Sequence, residues 1–115
     1  MKVYCYTKCT TCKKALKWLD EQGKEYQIID IKEHNPSREE LKEAYEKSGL
    51  PLKKFFNTSG QVYRGLNLKD KLASMSEEEQ LELLASDGML VKRPLVIKDH
   101  IVLTGFKEAE WAEKL

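Results

Sequence analysis

Cys9-Thr10-Thr11-Cys12 constrains this chain more than any other segment. It follows a short apolar β pattern, Lys2-Val3-Tyr4-Cys5-Tyr6, and opens a helical pattern that runs to Gln22. Two cysteines three apart at a strand-to-helix junction can close a small disulfide and reopen it. Cys9 stands where unpaired backbone N–H groups and the helix dipole favour an anion. That favours the thiolate, the form that attacks disulfides and other electrophiles.

The surroundings point the same way. Lys8, Lys13 and Lys14 flank the motif, and no acidic residue comes nearer in sequence than Asp20. Nearby cations stabilise a thiolate. Cys12 falls in the first helical turn, less exposed than the junction, which suits a thiol that resolves a mixed disulfide on Cys9. A small buried core residue is the plainer reading of Cys12. Cys5 alternates with Val3 on one strand face and reads as core. Structural zinc would need four ligands. With no second cysteine pair, Cys5 and a distant His34 or His100 would have to complete the set, so no metal is expected. Both histidines fall in polar turns and read as solvent-facing.

The chain has 115 residues, enough for one compact domain. Lys plus Arg number 20 against 19 Asp plus Glu, so no whole-domain charge excess invites nucleic acid or an anionic membrane. Three cysteines, two of them separated by two residues, are not a disulfide scaffold. No signal peptide and no apolar run of membrane-spanning length stands out, which predicts a reducing, cytosolic setting.

After the first helix, Gly23 supplies a C-terminal cap. Gln27-Ile28-Ile29-Asp30-Ile31 reads as a second strand suited to a buried sheet, parallel to the first. Ser37 with Glu40, and Ser76 with Glu79, are capping boxes that start two helices. Ser48-Gly49 closes the first of them. Leu52 to Phe56 is a short apolar segment, Asn57-Thr58-Ser59-Gly60 a turn, and Leu66 to Leu72 a short helix. Pro94-Leu95-Val96-Ile97 and Ile101-Val102-Leu103 form a hairpin around Lys98-Asp99-His100. A final amphipathic helix follows Gly105.

A Cys-X-X-Cys pair in a βαβ start is similar to a thioredoxin-like redox site. In such folds a proline before the late hairpin is commonly cis and faces the active cysteine. Arg93-Pro94 holds that place, and the arginine would turn a planar charged fork toward the thiolate or an oxyanion. A surface arginine before an edge-strand proline is the alternative.

Val3-Tyr4, Cys9 to Ala15, Lys92-Arg93-Pro94-Leu95-Val96 and Gly105-Phe106-Lys107-Glu108 together resemble the arsenate-reductase/Spx (ArsC/Spx) family of thioredoxin-like proteins. The resemblance covers essentially the whole chain. It implies an α/β fold, a βαβ…ββα core at about 1–34 and 89–115, and a helical insertion at about 35–88. The family holds glutaredoxin-coupled arsenate reductases and regulators that bind RNA polymerase. By resemblance Cys9 matches the reductase nucleophile and Arg93 an anion-binding arginine. Two further arginines of the reductases fall at Asn57 and Gly105 here, and Arg64 is near enough in sequence to stand in for one.

The departure has a physical cost. Each charge-assisted contact to an oxyanion is worth roughly 1.5–3 kcal/mol, so losing two removes several orders of magnitude in affinity. The second thiol, Cys12, looks Spx-like. Spx-type regulators continue into a basic tail, whereas this sequence stops at Leu115. Gly49 roughly matches a glycine those regulators use at the polymerase interface.

The expectation is therefore a thiol–disulfide protein in which Cys9 attacks and Cys12 resolves, with Arg93 stabilising the thiolate or a bound anion. Lys8, Thr10, Thr11, Lys13, Asn57, Arg64 and Pro94 form the supporting set. The implied partners are a disulfide or oxyanion substrate and a thiol reductant system, glutaredoxin with glutathione or thioredoxin. No cofactor is required. Arsenate reduction and polymerase-binding regulation are the two alternatives.

Overall fold

The computed structural model describes all residues from Met1 to Leu115. Strand β1 (Lys2–Cys5) leads into helix α1 (Thr10–Glu21) and strand β2 (Gln27–Asp30). Gly23 takes a positive φ of 67° just after α1, the left-handed turn that lets the chain reverse. β1 and β2 run parallel, with Val3 opposite Ile28 and Tyr4 opposite Ile29.

The middle of the chain is helical. Helix α2 (Arg38–Ser48) and helix α5 (Glu77–Ser86) both begin on complete capping boxes, Ser37 with Glu40 and Ser76 with Glu79. Between them lie two short helices, α3 (Gln61–Gly65) and α4 (Leu68–Lys71), with 3-10 turns at Leu52–Phe55 and Leu72–Ser74. The chain then returns to the sheet as β3 (Leu95–Lys98) and β4 (Ile101–Thr104), and ends in helix α6 (Glu108–Lys114). The strand order is β2-β1-β3-β4, with β3 antiparallel to both β1 and β4. The thioredoxin-like α/β arrangement expected from the sequence is the one present.

Because successive strand residues face opposite sides, the sheet separates two cores. Val3, Cys5, Val96 and Leu103 face α1 and α6, where they meet Cys12, Ala15, Leu19 and Trp111. Tyr4, Leu95 and Val102 face the helical middle, where Leu41, Phe55, Leu81 and Leu84 are buried. On this second side the Tyr4 hydroxyl donates to Glu40 of α2 at 2.7 Å, which ties β1 to the helical layer.

Three local expectations change. The second strand is an open edge rather than a buried one: Ile28 is 54% exposed, because β2 has a neighbour on one side only. Ile31 lies beyond its end, fully buried, with its N–H donated to the Cys5 carbonyl at 2.9 Å. The helix expected over Leu66 to Leu72 is confined to Leu68–Lys71, because Asn67 adopts a left-handed φ of 54° and the backbone tightens into a 3-10 turn from Leu72. The segment Gln61–Gly65, which carries no capping side chain, is helical.

Candidate active site

Cys9 is the N-cap of α1, in extended backbone with φ −86° and ψ 117°. Its own N–H is held by the Tyr6 carbonyl at 3.0 Å, and its carbonyl accepts from Lys13 N–H at 3.2 Å. These bonds fix the junction and leave the side chain half-exposed at a cleft of about 550 Å³. Cys12, one turn on, is buried, and Cys5 is buried beneath it at the end of β1. All three are free thiols.

The thiols share their charge unequally. Hydrogen bonding from the Cys5 thiol, with help from the Tyr6 backbone, Cys9 and the Arg93 charge, brings Cys12 below the ordinary thiol range against the opposing effect of burial. Cys5 moves up, because it donates to Cys12 and is itself desolvated. The pair therefore yields one proton readily and holds the other.

Arg93 joins Pro94 through a cis peptide bond. Its guanidinium sits 5.4 Å from the centre of the Tyr6 ring, a cation–π contact. Nη1 donates to Met89 Sδ at 3.3 Å, while the buried Nε has no hydrogen-bond partner. Arg93 lines the Cys9 cleft, and its charge is a minor influence favouring the thiolate at both buried cysteines, outweighed at Cys5.

Of the residues singled out from sequence, Lys8, Cys9, Thr10, Thr11, Asn57 and Arg93 line this cleft. Lys13 and Arg64 do not; both are exposed elsewhere. Arg64 sits on α3, is exposed and is not among the residues that line the cleft. Pro94 is buried behind Arg93, and its carbonyl accepts from the Gly105 N–H at 2.9 Å. Sequence reasoning missed Lys92 and Lys107, which line the cleft with Thr104 and Gly105. The signal was present in the same segments: Lys92 precedes Arg93, and Lys107 follows the hairpin. Gly105 takes a φ of 73°, and its carbonyl accepts from the Trp111 indole at 3.2 Å, which ties α6 to the cleft rim. No cluster of His, Cys, Asp and Glu is arranged to hold a metal.

A β2-β1-β3-β4 sheet with a Cys-X-X-Cys pair where β1 enters α1 defines a thioredoxin-like α/β protein. Within that class the chain belongs to the ArsC family, whose model matches residues 4–114. The uncharacterized protein YusI of Bacillus subtilis strain 168 is 66% identical over 96% of this chain and 93% of its own. The global transcriptional regulator Spx of Listeria innocua is 27% identical over 94% of this chain and 81% of its own. The arsenate reductase from Vibrio cholerae is 30% identical and superposes with a TM-score of 0.86, covering 100% of this chain and 98% of that one. The relatives thus include arsenate reductases and transcriptional regulators. No helix is long and apolar enough to cross a membrane.

Proposed function

We propose that this protein is a thiol–disulfide oxidoreductase in which Cys9 attacks and Cys12 resolves. One observation carries the reading: a half-exposed Cys9 opens onto a cleft while a second thiol, wholly buried, waits one helical turn behind it. The Cys9 thiolate attacks one sulfur of a substrate disulfide, and the other sulfur leaves as a thiolate that takes up a proton. The Cys12 thiolate then attacks Cys9 Sγ in the mixed disulfide and expels the second substrate sulfur. The substrate gains two electrons as two thiols, and the protein is left with a Cys9–Cys12 disulfide. A thiol reductant of the glutathione/glutaredoxin or thioredoxin type returns it to the dithiol.

The arsenate reductase relatives make oxyanion reduction the second reading. Here Arg93 is the sole arginine on the cleft, joined by Lys8, Lys92 and Lys107. Ammonium groups supply charge but not the bidentate fork that matches an oxyanion. A neutral disulfide needs no such cradle, so the disulfide reading is preferred. The Spx similarity raises polymerase-binding regulation. Gly49, with φ 68° at the C-cap of α2, has a sufficient local reason to be glycine and adds nothing to it.

Replacement of Cys12 by serine tests the proposal. Cys12→Ser should abolish turnover of a small disulfide and trap a stable mixed disulfide on Cys9, read by intact mass. Full turnover in that variant would end the resolving assignment.

A further inference from the structure

The cleft at Cys9 does not end at Lys107. It continues into a second hollow of about 450 Å³, and Lys92, Thr104 and Lys107 line both. The far side of the second hollow carries Lys53 and Lys54, from the 3-10 turn at Leu52–Phe55. Together the two hollows gather Lys8, Lys53, Lys54, Lys92, Arg93 and Lys107 around a single acid, Glu110.

This is not the ordinary texture of the surface. The whole chain carries a formal charge of only +1. The outer face of α2 mixes signs, with Glu39, Glu43 and Glu46 among Lys42 and Lys47, and Lys47 is paired with Glu43 at 2.8 Å. None of the six groove cations forms an ion pair. The buried Nε of Arg93 has no hydrogen-bond partner either. A concave row of unpaired cations, leading to a nucleophilic thiol, raises the local concentration of anions along its length.

We propose that this groove docks an acidic polypeptide segment, in an extended form that lies from Lys53 and Lys54 toward Cys9. That the segment delivers a disulfide to Cys9 rests on the function proposed above. The preferred substrate is then a protein disulfide flanked on one side by aspartate or glutamate. Lysines suit this role: compact, mobile point charges accept carboxylates at irregular spacing without a fixed geometry. The specificity comes from charge along the groove, and the reaction at the sulfur remains unchanged.

Binding is measured first, with no chemistry. Fluorescently labelled peptides of about eight residues, up to about 28 Å when extended, carry serine in place of the reacting cysteine and alternate glutamate or glutamine. The glutamate peptide should bind about tenfold or more tightly than the glutamine peptide at about 50 mM salt, and the gap should shrink markedly at about 300 mM. Lys53→Gln with Lys54→Gln should remove most of the preference while leaving turnover of a small neutral disulfide unchanged. Lys42→Gln with Lys47→Gln on α2 should leave the preference intact. Equal binding of the two peptides at low salt, or a preference that survives loss of Lys53 and Lys54, overturns the inference. So does tighter binding of a single-stranded oligonucleotide of matched charge. The two proposals fail separately. Glutamate-selective binding without disulfide turnover removes the redox reading and keeps the docking groove. Equal binding of the glutamate and glutamine peptides alongside turnover of disulfides removes the groove and keeps the redox reading.

Discussion

The lowered Cys12 thiol makes the resolving step a quantitative test. Because the bond from Cys5 holds Cys12 below the ordinary thiol range, the step should speed up far less between pH 6 and pH 8 than it would for an ordinary thiol. An ordinary thiol at about 8.5 would speed up roughly eightyfold over the same interval. The absolute gain is smaller than the charge alone suggests. The lowering raises the thiolate fraction near pH 7, but at a Brønsted slope of about 0.4–0.5 each unit of lowering costs roughly threefold in intrinsic nucleophilicity. The net advantage at a single pH is small. The pH profile, not the rate at one pH, therefore carries the information. Loading Cys9 with an aromatic thiol gives a direct readout, since attack by Cys12 expels a coloured thiolate in a single turnover. The hydrogen bond from Cys5 is the main cause of the lowering. Cys5→Ala should steepen the profile toward the ordinary one, and Cys5→Ser, which keeps a hydroxyl donor, should restore much of the flatness. A steep profile in the unmodified protein, or one that Cys5→Ala does not alter, refutes the shared-proton argument.

Iodoacetamide should label Cys9 and spare Cys5 and Cys12 in the native protein, because the latter two are buried; peptide mapping that finds Cys12 labelled first would contradict the geometry. A Cβ on Gly88 would lie 1.9 Å from the Ile31 carbonyl oxygen and 2.8 Å from its carbon. Gly88→Ala must therefore move backbone, at a cost of about 1–3 kcal/mol or more, and lower the melting midpoint by roughly 5–15 °C; a change under about 2 °C in a circular-dichroism melt would show that the contact yields easily. Arsenate turnover should stay below about 10⁴ M⁻¹s⁻¹ in kcat/KM with either reductant system, and a higher value would reverse the order of the two redox readings.

What the sequence disclosed was what is encoded locally. Ser37 with Glu40 and Ser76 with Glu79 mark their helices because capping is completed within one turn. The hairpin of β3 and β4 was legible because the β-rich runs flank a polar turn, where Asp99 indeed takes a positive φ of 53°. The features that escaped depend on distant neighbours. Aliphatic content in Gln27–Asp30 signalled a strand but not whether anything would pair with its outer side. Nothing in Gln61–Gly65 announces a helix: it has no cap, and Tyr63 is its one buried residue. Parity placed Cys5 on the face of Val3, yet only the crossover of α1 over that face brings Cys12 to it. Arg64 and Lys107 show the same limit from opposite sides. One lies on a short helix and does not line the cleft, and the other is brought to it by the return of the hairpin.

The sheet that parts the two cores also parts two kinds of inheritance. The thiols belong to the layer of Val3, Val96, Leu103 and Trp111. Lys53 and Lys54 ride on the other layer, between the buried Leu52 and Phe55. Substitution in the helical layer can redraw what approaches the reactive sulfur without touching the residues that hold the sulfur in place.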